Sequence, residues 1–281
     1  MWGVPAVSRQ VQQASAEALK HLCERRFEEV DLLVIYLDGK RFGGHQVICA
    51  VGVDAEGSKH VLGITEGATE NAQVVKGLLE EMVERGAKPD RRRLFVIDGS
   101  KALRTAIEQV DGTHNPVQRC RAHKLRNVLG YLPQEMQAQV AVALRAAWKL
   151  EPKEGLARLG RQIEWLERSY PKAAASLREG LEETFTINRL GLPPRLRKCL
   201  ATTNIIESSL SGVEALTRRV TRWRSGEMAL RWAAAAAMET EKNFRKIIGH
   251  QDLWMLKAAL KDDRTLDGNP VTTLDEQPLA A

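Results

Sequence analysis

Two aspartates lie where acidic side chains can take part in chemistry. Asp38 follows the apolar run Leu32–Leu37, Asp98 follows the apolar run Leu94–Ile97, and a glycine comes next in both cases. Such runs are typical of strands buried on both faces, and reactive groups converge at strand ends in an open mixed sheet. If the two strands are neighbours, the two carboxylates lie close together, repel each other and need a cation. A site made only of oxygen ligands suits Mg²⁺ or Mn²⁺. Taken alone, either Asp-Gly pair is also explained as a turn.

Glu207 is a candidate third carboxylate, at the predicted start of a helix. Its spacing alone favours a structural role, because Asn204 as N-cap and Glu207 three residues later form a plausible capping box. Positions 207, 211, 214 and 218 share a helix face, however, and this face leads from Glu207 to a group of four arginines, namely Arg218, Arg219, Arg222 and Arg224. A carboxylate in that setting is typical of a metal ligand beside a nucleic-acid backbone.

The elements that must position these acids form a mixed pattern. Short turns separate three apolar segments, Leu32–Leu37, His45–Val53 and His60–Ile64, and are too short for crossover helices, so we expect an antiparallel meander. The remaining pattern predicts, in order, a helix over 71–85, a strand over 94–97, a helix over 101–110 and a short strand over 116–120. The resulting order, β-β-β-α-β-α-β, predicts an α/β fold with a mixed sheet and differs from that of a Rossmann domain.

The second half of the chain is predicted to be helical. Residues 122 to 185 form helices with breaks at Pro133, Pro152 and Pro171, and two further helices cover 204–220 and 226–246. We expect Trp148 and Trp165 to belong to the core of this region. Residues 251–281 are more polar and are expected to form a frayed tail.

Positive charge is concentrated in one stretch. The chain of 281 residues has a net charge of +6, yet residues 189–246 hold twelve Lys/Arg against five Asp/Glu, so this stretch carries +7 and the remainder −1. Nine of the twelve are arginines, whose planar guanidinium matches phosphate geometry. A solvated surface is the simpler interpretation of a charge run, but the uneven placement favours a localised polyanion-binding surface.

Cys120 and His123 stand three residues apart, a spacing that can supply two zinc ligands. A structural zinc site needs four ligands, and the other cysteines, Cys23, Cys49 and Cys199, form no second close pair. We therefore favour a packing or hydrogen-bonding role for both side chains. Scattered cysteines, apolar runs too short to span a bilayer and a polar N-terminus also predict a cytoplasmic protein with no membrane association.

Five motifs together carry a resemblance to a known family. The segments Tyr36–Gly39, Val96–Gly99, Cys120–His123, Thr203–Ser208 and Arg218–Arg224 occur in the order seen in mutator-type transposases of bacterial insertion sequences. The resemblance runs from about Gly3 to about Leu256. It implies an RNase H-like fold with an all-helical insertion before the last catalytic helix.

The resemblance also implies an activity and a site. In this family an Asp-Asp-Glu triad, which maps onto Asp38, Asp98 and Glu207, holds two Mg²⁺ or Mn²⁺ ions for DNA cleavage and strand transfer. The implied partners are double-stranded DNA, at element ends and at the target, and further copies of the chain in a homodimer or higher oligomer. Arg218, Arg219, Arg222 and Arg224 are the expected DNA contacts.

We expect five segments along the chain. They are a helical remnant of a longer N-terminal DNA-binding region over 1–30, the first part of the catalytic core over 31–121, a helical insertion over 122–200, C-terminal catalytic helices over 201–250, and the polar tail over 251–281. Two alternatives to an active transposase remain. One is a shortened, inactive protein that binds DNA or dimerises as a regulator, and the other is a different RNase H-like nuclease.

Overall fold

A five-stranded mixed sheet forms the centre of the fold. The strands are β1 (Leu32–Phe42), β2 (His45–Asp54), β3 (Lys59–Glu66), β4 (Leu94–Ile97) and β5 (Val117–Arg119), in the spatial order β3-β2-β1-β4-β5. The first three pair antiparallel, whereas β4 is parallel to β1 and to β5. The computed structural model describes residues 4–261 except 43, 70 and 90, and the side chains of 4–8 are not described. The predicted meander and order of elements are confirmed.

Strand β1 is longer than its apolar run predicts. It continues through Asp38 and Gly39, which pair with Cys49 and Ile48 of β2. The prediction that Asp38 follows the end of the strand, and the alternative that it begins a turn, are therefore wrong. The strand extends because β2 goes on supplying backbone partners after β4 has ended at Ile97.

Helices account for most of the remaining described residues. In chain order they are α1 (Val4–Glu24), α2 (Ala72–Glu84), α3 (Lys101–Val110), α4 (Arg121–Leu129), α5 (Gln134–Ala147), α6 (Pro152–Glu167), α7 (Pro171–Arg178), α8 (Thr186–Arg189), α9 (Pro194–Leu200), α10 (Asn204–Thr217), α11 (Gly226–Glu241) and α12 (Leu253–Lys261). The predicted breaks before α5, α6 and α7 are confirmed. Helices α10 and α11 end three and five residues before the predicted boundaries.

The two faces of the sheet bury separate hydrophobic clusters. Ile35 and Leu37 of β1 pack with α2 and α3, while Val34 and Tyr36 pack with α10 and α11. Because side chains alternate along a strand, Asp38 lies on the same face as Tyr36. The sheet therefore directs this carboxylate toward the helices that follow residue 201.

The helices between β5 and α10 have a core of their own. It includes Val128, Leu144, Leu166 and Phe185, and Trp148 is buried in it as predicted. Trp165 is 41% exposed, so its predicted core position is wrong. From residue 187 onward, including α9, the apolar side chains pack instead into the cluster on the Tyr36 face of the sheet.

The region predicted as a polar tail begins with ordered structure. Helix α12 buries Leu253, Leu256 and Leu260 in the cluster on the Tyr36 face, so the tail prediction is wrong up to residue 261. Residues 262–281 lie outside the described part of the chain. Within the described ranges, no helix combines the length and apolar character needed to cross a bilayer.

Candidate active site

Asp38 and Asp98 are brought together by the pairing of β1 with β4. The parallel register matches Tyr36 with Val96, and each aspartate lies two residues further along its own strand direction. Asp98 leaves β4 in a turn: its Oδ1 accepts a hydrogen bond of 2.8 Å from the Ser100 N–H, and Gly99 has a φ of +109°. The predicted convergence of the two acidic strands is therefore present.

Glu207 lies in the first turn of α10, facing the same edge of the sheet. The N-cap residue is Thr203 and makes no side-chain cap hydrogen bond to the backbone. The Thr203 hydroxyl instead donates a hydrogen bond of 2.8 Å to Glu207 Oε1. The capping box between Asn204 and Glu207 is therefore wrong, and this carboxylate is free of that structural role.

A second contact fixes α10 over β1. Lys40 Nζ lies 2.6 Å from Glu214 Oε2. Lys40 is two residues after Asp38 and so shares its face of the strand, while Glu214 is two helical turns after Glu207 and shares its face of the helix. Because Lys40 and Glu214 are in contact, Glu207 lies opposite the part of β1 that carries Asp38.

The three carboxylates interact electrostatically. Burial raises the pKa of Asp38 to about 6, and the negative charges of Asp98 and Glu207 contribute to the increase. The Gly39 N–H, which donates a 2.9 Å hydrogen bond to Asp38 Oδ1, and the nearby His123 oppose it. The site thus concentrates negative charge on a partly buried group, which is the condition under which a bound cation is stabilising.

Cys120 and His123 form hydrogen bonds with Thr203. Cys120 Sγ accepts hydrogen bonds from the backbone N–H groups of Thr203, at 3.3 Å, and His123, at 3.5 Å. Burial alone would raise the pKa of the Cys120 thiol, but the hydrogen bonds from His123 and Thr203 outweigh it and lower the pKa. The predicted hydrogen-bonding role of this pair is confirmed.

The Thr203 hydroxyl is the centre of a small network. Its oxygen lies 2.8 Å from Glu207 Oε1, 3.2 Å from His123 Nδ1 and 3.3 Å from Cys120 Sγ. A hydroxyl has one proton, and the carboxylate is the closest and strongest acceptor. The hydroxyl therefore donates to Glu207, and its oxygen is available to accept from the imidazole, so the network passes through Thr203 to the carboxylate.

His123 also faces the acids directly. Its Nε2 lies 3.9 Å from Glu207 Oε1. The hydrogen bond to Cys120 raises the pKa of His123, and the charges of Cys120 and Asp38 add to the effect against burial. An imidazole that holds its proton more readily offsets part of the repulsion among the three carboxylates.

The donor set fits a hard divalent cation in its chemistry. Asp38, Asp98 and Glu207 supply only carboxylate oxygens, the ligand type that Mg²⁺ and Mn²⁺ prefer. A cation would offset the burial and the neighbouring negative charges that raise the pKa of Asp38. In the residues described, no three His, Cys, Asp or Glu side chains are already gathered closely enough to hold an ion. Ion binding therefore requires the carboxylates to draw together.

The four arginines predicted to contact DNA lie at the other end of α10. Arg218 is the C-cap of that helix, about 16 Å along the axis from Glu207 at 1.5 Å per residue. All four side chains are exposed. Trp223 lies among them and packs edge-on against Phe42, with ring centroids 5.7 Å apart, so it attaches the segment to the end of β1.

Two basic residues near His123 have structural roles. Lys124 is buried and its ammonium donates to the carbonyl oxygens of Ser176 and Glu179 in and after α7. Arg119 is 6% exposed and forms an ion pair with Glu179 at 3.1 Å. Neither side chain presents its charge to solvent, so both charges serve contacts within the fold.

Thr203 is the functional candidate that sequence reasoning missed. In the sequence it stands only within the motif Thr203–Ser208, and a threonine before a helix is explained by capping. The signal that identifies it is its spacing: position 203 is one turn before 207, so its hydroxyl can reach the carboxylate.

Comparison with known proteins identifies the family of the chain. The chain matches the family described as "Transposase, Mutator family" over residues 4–247. It is 26% identical to the transposase for insertion sequence element IST2 of Acidithiobacillus ferrooxidans, over 99% of this chain and 94% of that protein. It is 31% identical to the transposase for insertion sequence element ISRM5 of Rhizobium meliloti, over 81% of this chain, and spans 58% of that relative. The chain belongs to the Mutator family of transposases.

Proposed function

We propose that the chain is an Asp-Asp-Glu DNA transposase that cleaves the ends of an insertion sequence and transfers the strands. In the first reaction, water attacks the phosphorus of a phosphodiester, and the bond between this phosphorus and the 3′-oxygen breaks. The departing oxygen gains a proton and becomes a 3′-OH. In the second, that 3′-OH attacks the phosphorus of another phosphodiester, the new P–O bond joins the strands, and the 3′-oxygen of the attacked strand leaves and gains the proton. One site serves both reactions because only the attacking oxygen changes.

The observation that carries this proposal is the electrostatic interaction among three carboxylates from distant parts of the chain. Asp38 and Asp98 are placed by adjacent parallel strands, and the charges of Asp98 and Glu207 both raise the pKa of Asp38. When bound by Asp38, Asp98 and Glu207, two Mg²⁺ or Mn²⁺ ions would supply the Lewis acidity that activates the attacking oxygen and offsets charge on the leaving one.

The residues around the acids have defined tasks in this proposal. Thr203 holds one oxygen of Glu207 and leaves the other for the ligand side of the site. His123 places a basic group 3.9 Å from Glu207 and offsets negative charge there. The strand order β3-β2-β1-β4-β5, with helices inserted before α10, supports an RNase H-like core for this chemistry.

The direct test is cleavage of a duplex that carries the element end, with Mg²⁺ or Mn²⁺. We expect Asp38→Ala and Glu207→Gln to lower the cleavage rate about a thousandfold or more, because transition-state stabilisation of several kcal/mol is lost. Glu164→Gln is the matched control, since it makes the same chemical change on an exposed side chain of α6. Metal-dependent cleavage that survives Asp38→Ala would refute the proposal.

A strand-transfer assay separates this function from that of a simple nuclease. The pre-cleaved element end is offered with a target plasmid, and joined product is measured. We expect joining by the wild type and none by Glu207→Gln. Cleavage without joining would indicate a nuclease, and neither reaction together with DNA binding would indicate a regulatory protein.

A further inference from the structure

Two neighbouring grooves meet at the start of α10. The first, about 660 Å³, lies between α4, α5 and α9, and the second, about 610 Å³, lies between α9, α10 and residues 245–248. Lys198 and Thr202 line both grooves. Their shared wall is therefore one residue from Thr203, which holds Glu207.

Both grooves are lined by cations. The first presents Arg121, Arg145, Lys149, Arg197 and Lys198. The second shares Lys198 and adds Lys59, Arg195, Arg245 and Lys246. No Asp or Glu among the described residues lines either groove. The nine cations come from distant parts of the chain, so the fold itself assembles this charge.

No carboxylate in the described part of the chain neutralises the charge of the first groove. Arg145, Lys149, Arg197 and Lys198 form no ion pair with any residue that the structure describes. Arg121 donates only to neutral oxygens, those of Thr184 and Asn188. Burial and the positive charge of Arg197 lower the pKa of Arg121 to about 9. A bound anion would relieve this repulsion.

The walls between the cations are apolar. Leu125, Trp148 and Ala201 line the first groove, and Ile205, Ile247 and Ile248 line the second. A ligand that fits both grooves must therefore be a long polyanion with apolar faces between its charges. A nucleic-acid strand has this chemistry, because its phosphates alternate with sugars and bases, whereas inorganic phosphate has no apolar face.

We propose that the two grooves form one basic track, which binds the phosphodiester backbone of DNA and leads it past Thr202 to the carboxylates. The identification of the polyanion as DNA rests on the proposed function. The basic track lies at the Glu207 end of α10, whereas Arg218, Arg219, Arg222 and Arg224 lie at the other end. It is therefore a separate surface from the one that the sequence indicates.

The test measures binding of a fluorescently labelled duplex of arbitrary sequence by anisotropy, in EDTA, over a series of NaCl concentrations. Arg145→Gln/Lys149→Gln neutralises the first groove, and Arg245→Gln/Lys246→Gln neutralises the second. All four side chains are exposed, so both variants should fold, which a thermal melt checks. The control is Arg158→Gln/Arg161→Gln, which removes two exposed cations from α6 in the same helical region.

We expect each track variant to bind DNA at least about tenfold more weakly than the wild type. The slope of log K against log[NaCl] should become less steep by about 1.8, since each lost phosphate contact changes it by about 0.9. Combining both pairs should double the change in slope. The control should match the wild type. Track variants that bind like the control, or a second pair that adds nothing to the first, would overturn the proposal.

The binding test is independent of the chemistry. Asp38→Asn in EDTA should bind as tightly as the wild type or more tightly, because it removes a negative charge and leaves the track intact. If the wild type shows no cleavage while the track variants lose binding, the proposed reaction fails and the track stands. If cleavage depends on Asp38 while the track variants bind normally, the track fails alone.

Discussion

The Thr203 hydroxyl donates a hydrogen bond of 2.8 Å to Oε1 of Glu207, one helical turn further along α10. Thr203 is fully buried and its backbone N–H is held by the Cys120 sulfur. The carboxylate of Glu207 is thus oriented by a residue that is itself held by Cys120, the residue directly after β5. Residues separated by more than 80 positions in the sequence cooperate to orient one candidate ligand.

Thr203→Val should impair cleavage without affecting DNA binding. Valine preserves the shape but removes the bond to Glu207, and loss of such an outer contact typically costs 10–100-fold in metal affinity or activity. The measurement is the cleavage rate against Mn²⁺ concentration, below the melting temperature of the variant. Thr203→Ser keeps a hydroxyl at this position and should restore most of the activity. Equal loss in both variants would indicate a packing role only.

Asp38→Asn should stabilise the metal-free protein above pH 6. The ordinary pKa of this carboxyl is 3.8 and the folded value is about 6. The folded state therefore binds more protons between these values, and the free energy of unfolding falls as pH rises through this window. With allowance for partial exposure, we expect the variant to be more stable at pH 7 by on the order of 1–2 kcal/mol.

Urea unfolding in EDTA at pH 4 and pH 7 checks this stability difference. The two proteins should have nearly equal stabilities at the lower pH, because Asp38 is then largely protonated in the folded state. Glu164→Gln is the control and should leave the difference between pH 4 and pH 7 as it is in the wild type. A variant less stable than the wild type at pH 7 would contradict the raised pKa.

Divalent ions should stabilise the wild type through the same carboxylate. A ligand that binds only the folded state at one hundred times its Kd adds about 2.7 kcal/mol, which for a chain of this size raises Tm by roughly 5 °C. Differential scanning calorimetry with Mn²⁺ measures the shift. It should be absent in Asp38→Asn and retained in Glu164→Gln, and a wild-type Tm insensitive to Mn²⁺ would count against a metal site here.

Neutralising the arginines after α10 should also weaken DNA binding. Arg219→Gln/Arg222→Gln removes two exposed guanidinium groups, and we expect the salt slope to fall by about 1.8 if both contact phosphates. Cleavage of bound DNA should proceed at the wild-type rate, since these residues lie at the opposite end of the helix from Glu207. If DNA binding is unchanged at every salt concentration, these arginines form only a solvated surface and do not contact DNA.

The sequence by itself determined the order of elements and singled out three candidate acids. Apolar runs separated by short turns specify a meander, and amphipathic periodicity specifies the helices, because both patterns are local. It could not determine where β1 ends, since strand length depends on the partner that continues to pair, here Cys49 and Ile48 opposite Asp38 and Gly39. It also assigned Leu253–Lys261 to a tail, because three buried leucines have meaning only against the sheet they cover.

Tertiary structure decided what surrounds the acids. The sequence allowed Glu207 to be a capping residue. Only the fold shows that the Thr203 hydroxyl donates a hydrogen bond to Glu207 and that Cys120 and His123 form hydrogen bonds with Thr203. Likewise, the charge count pointed to residues near Arg218, whereas the cations that line the two grooves come from β3, α4, α5, α9 and residues 245–246. Packing brings these cations together across long stretches of chain, and no local pattern records it.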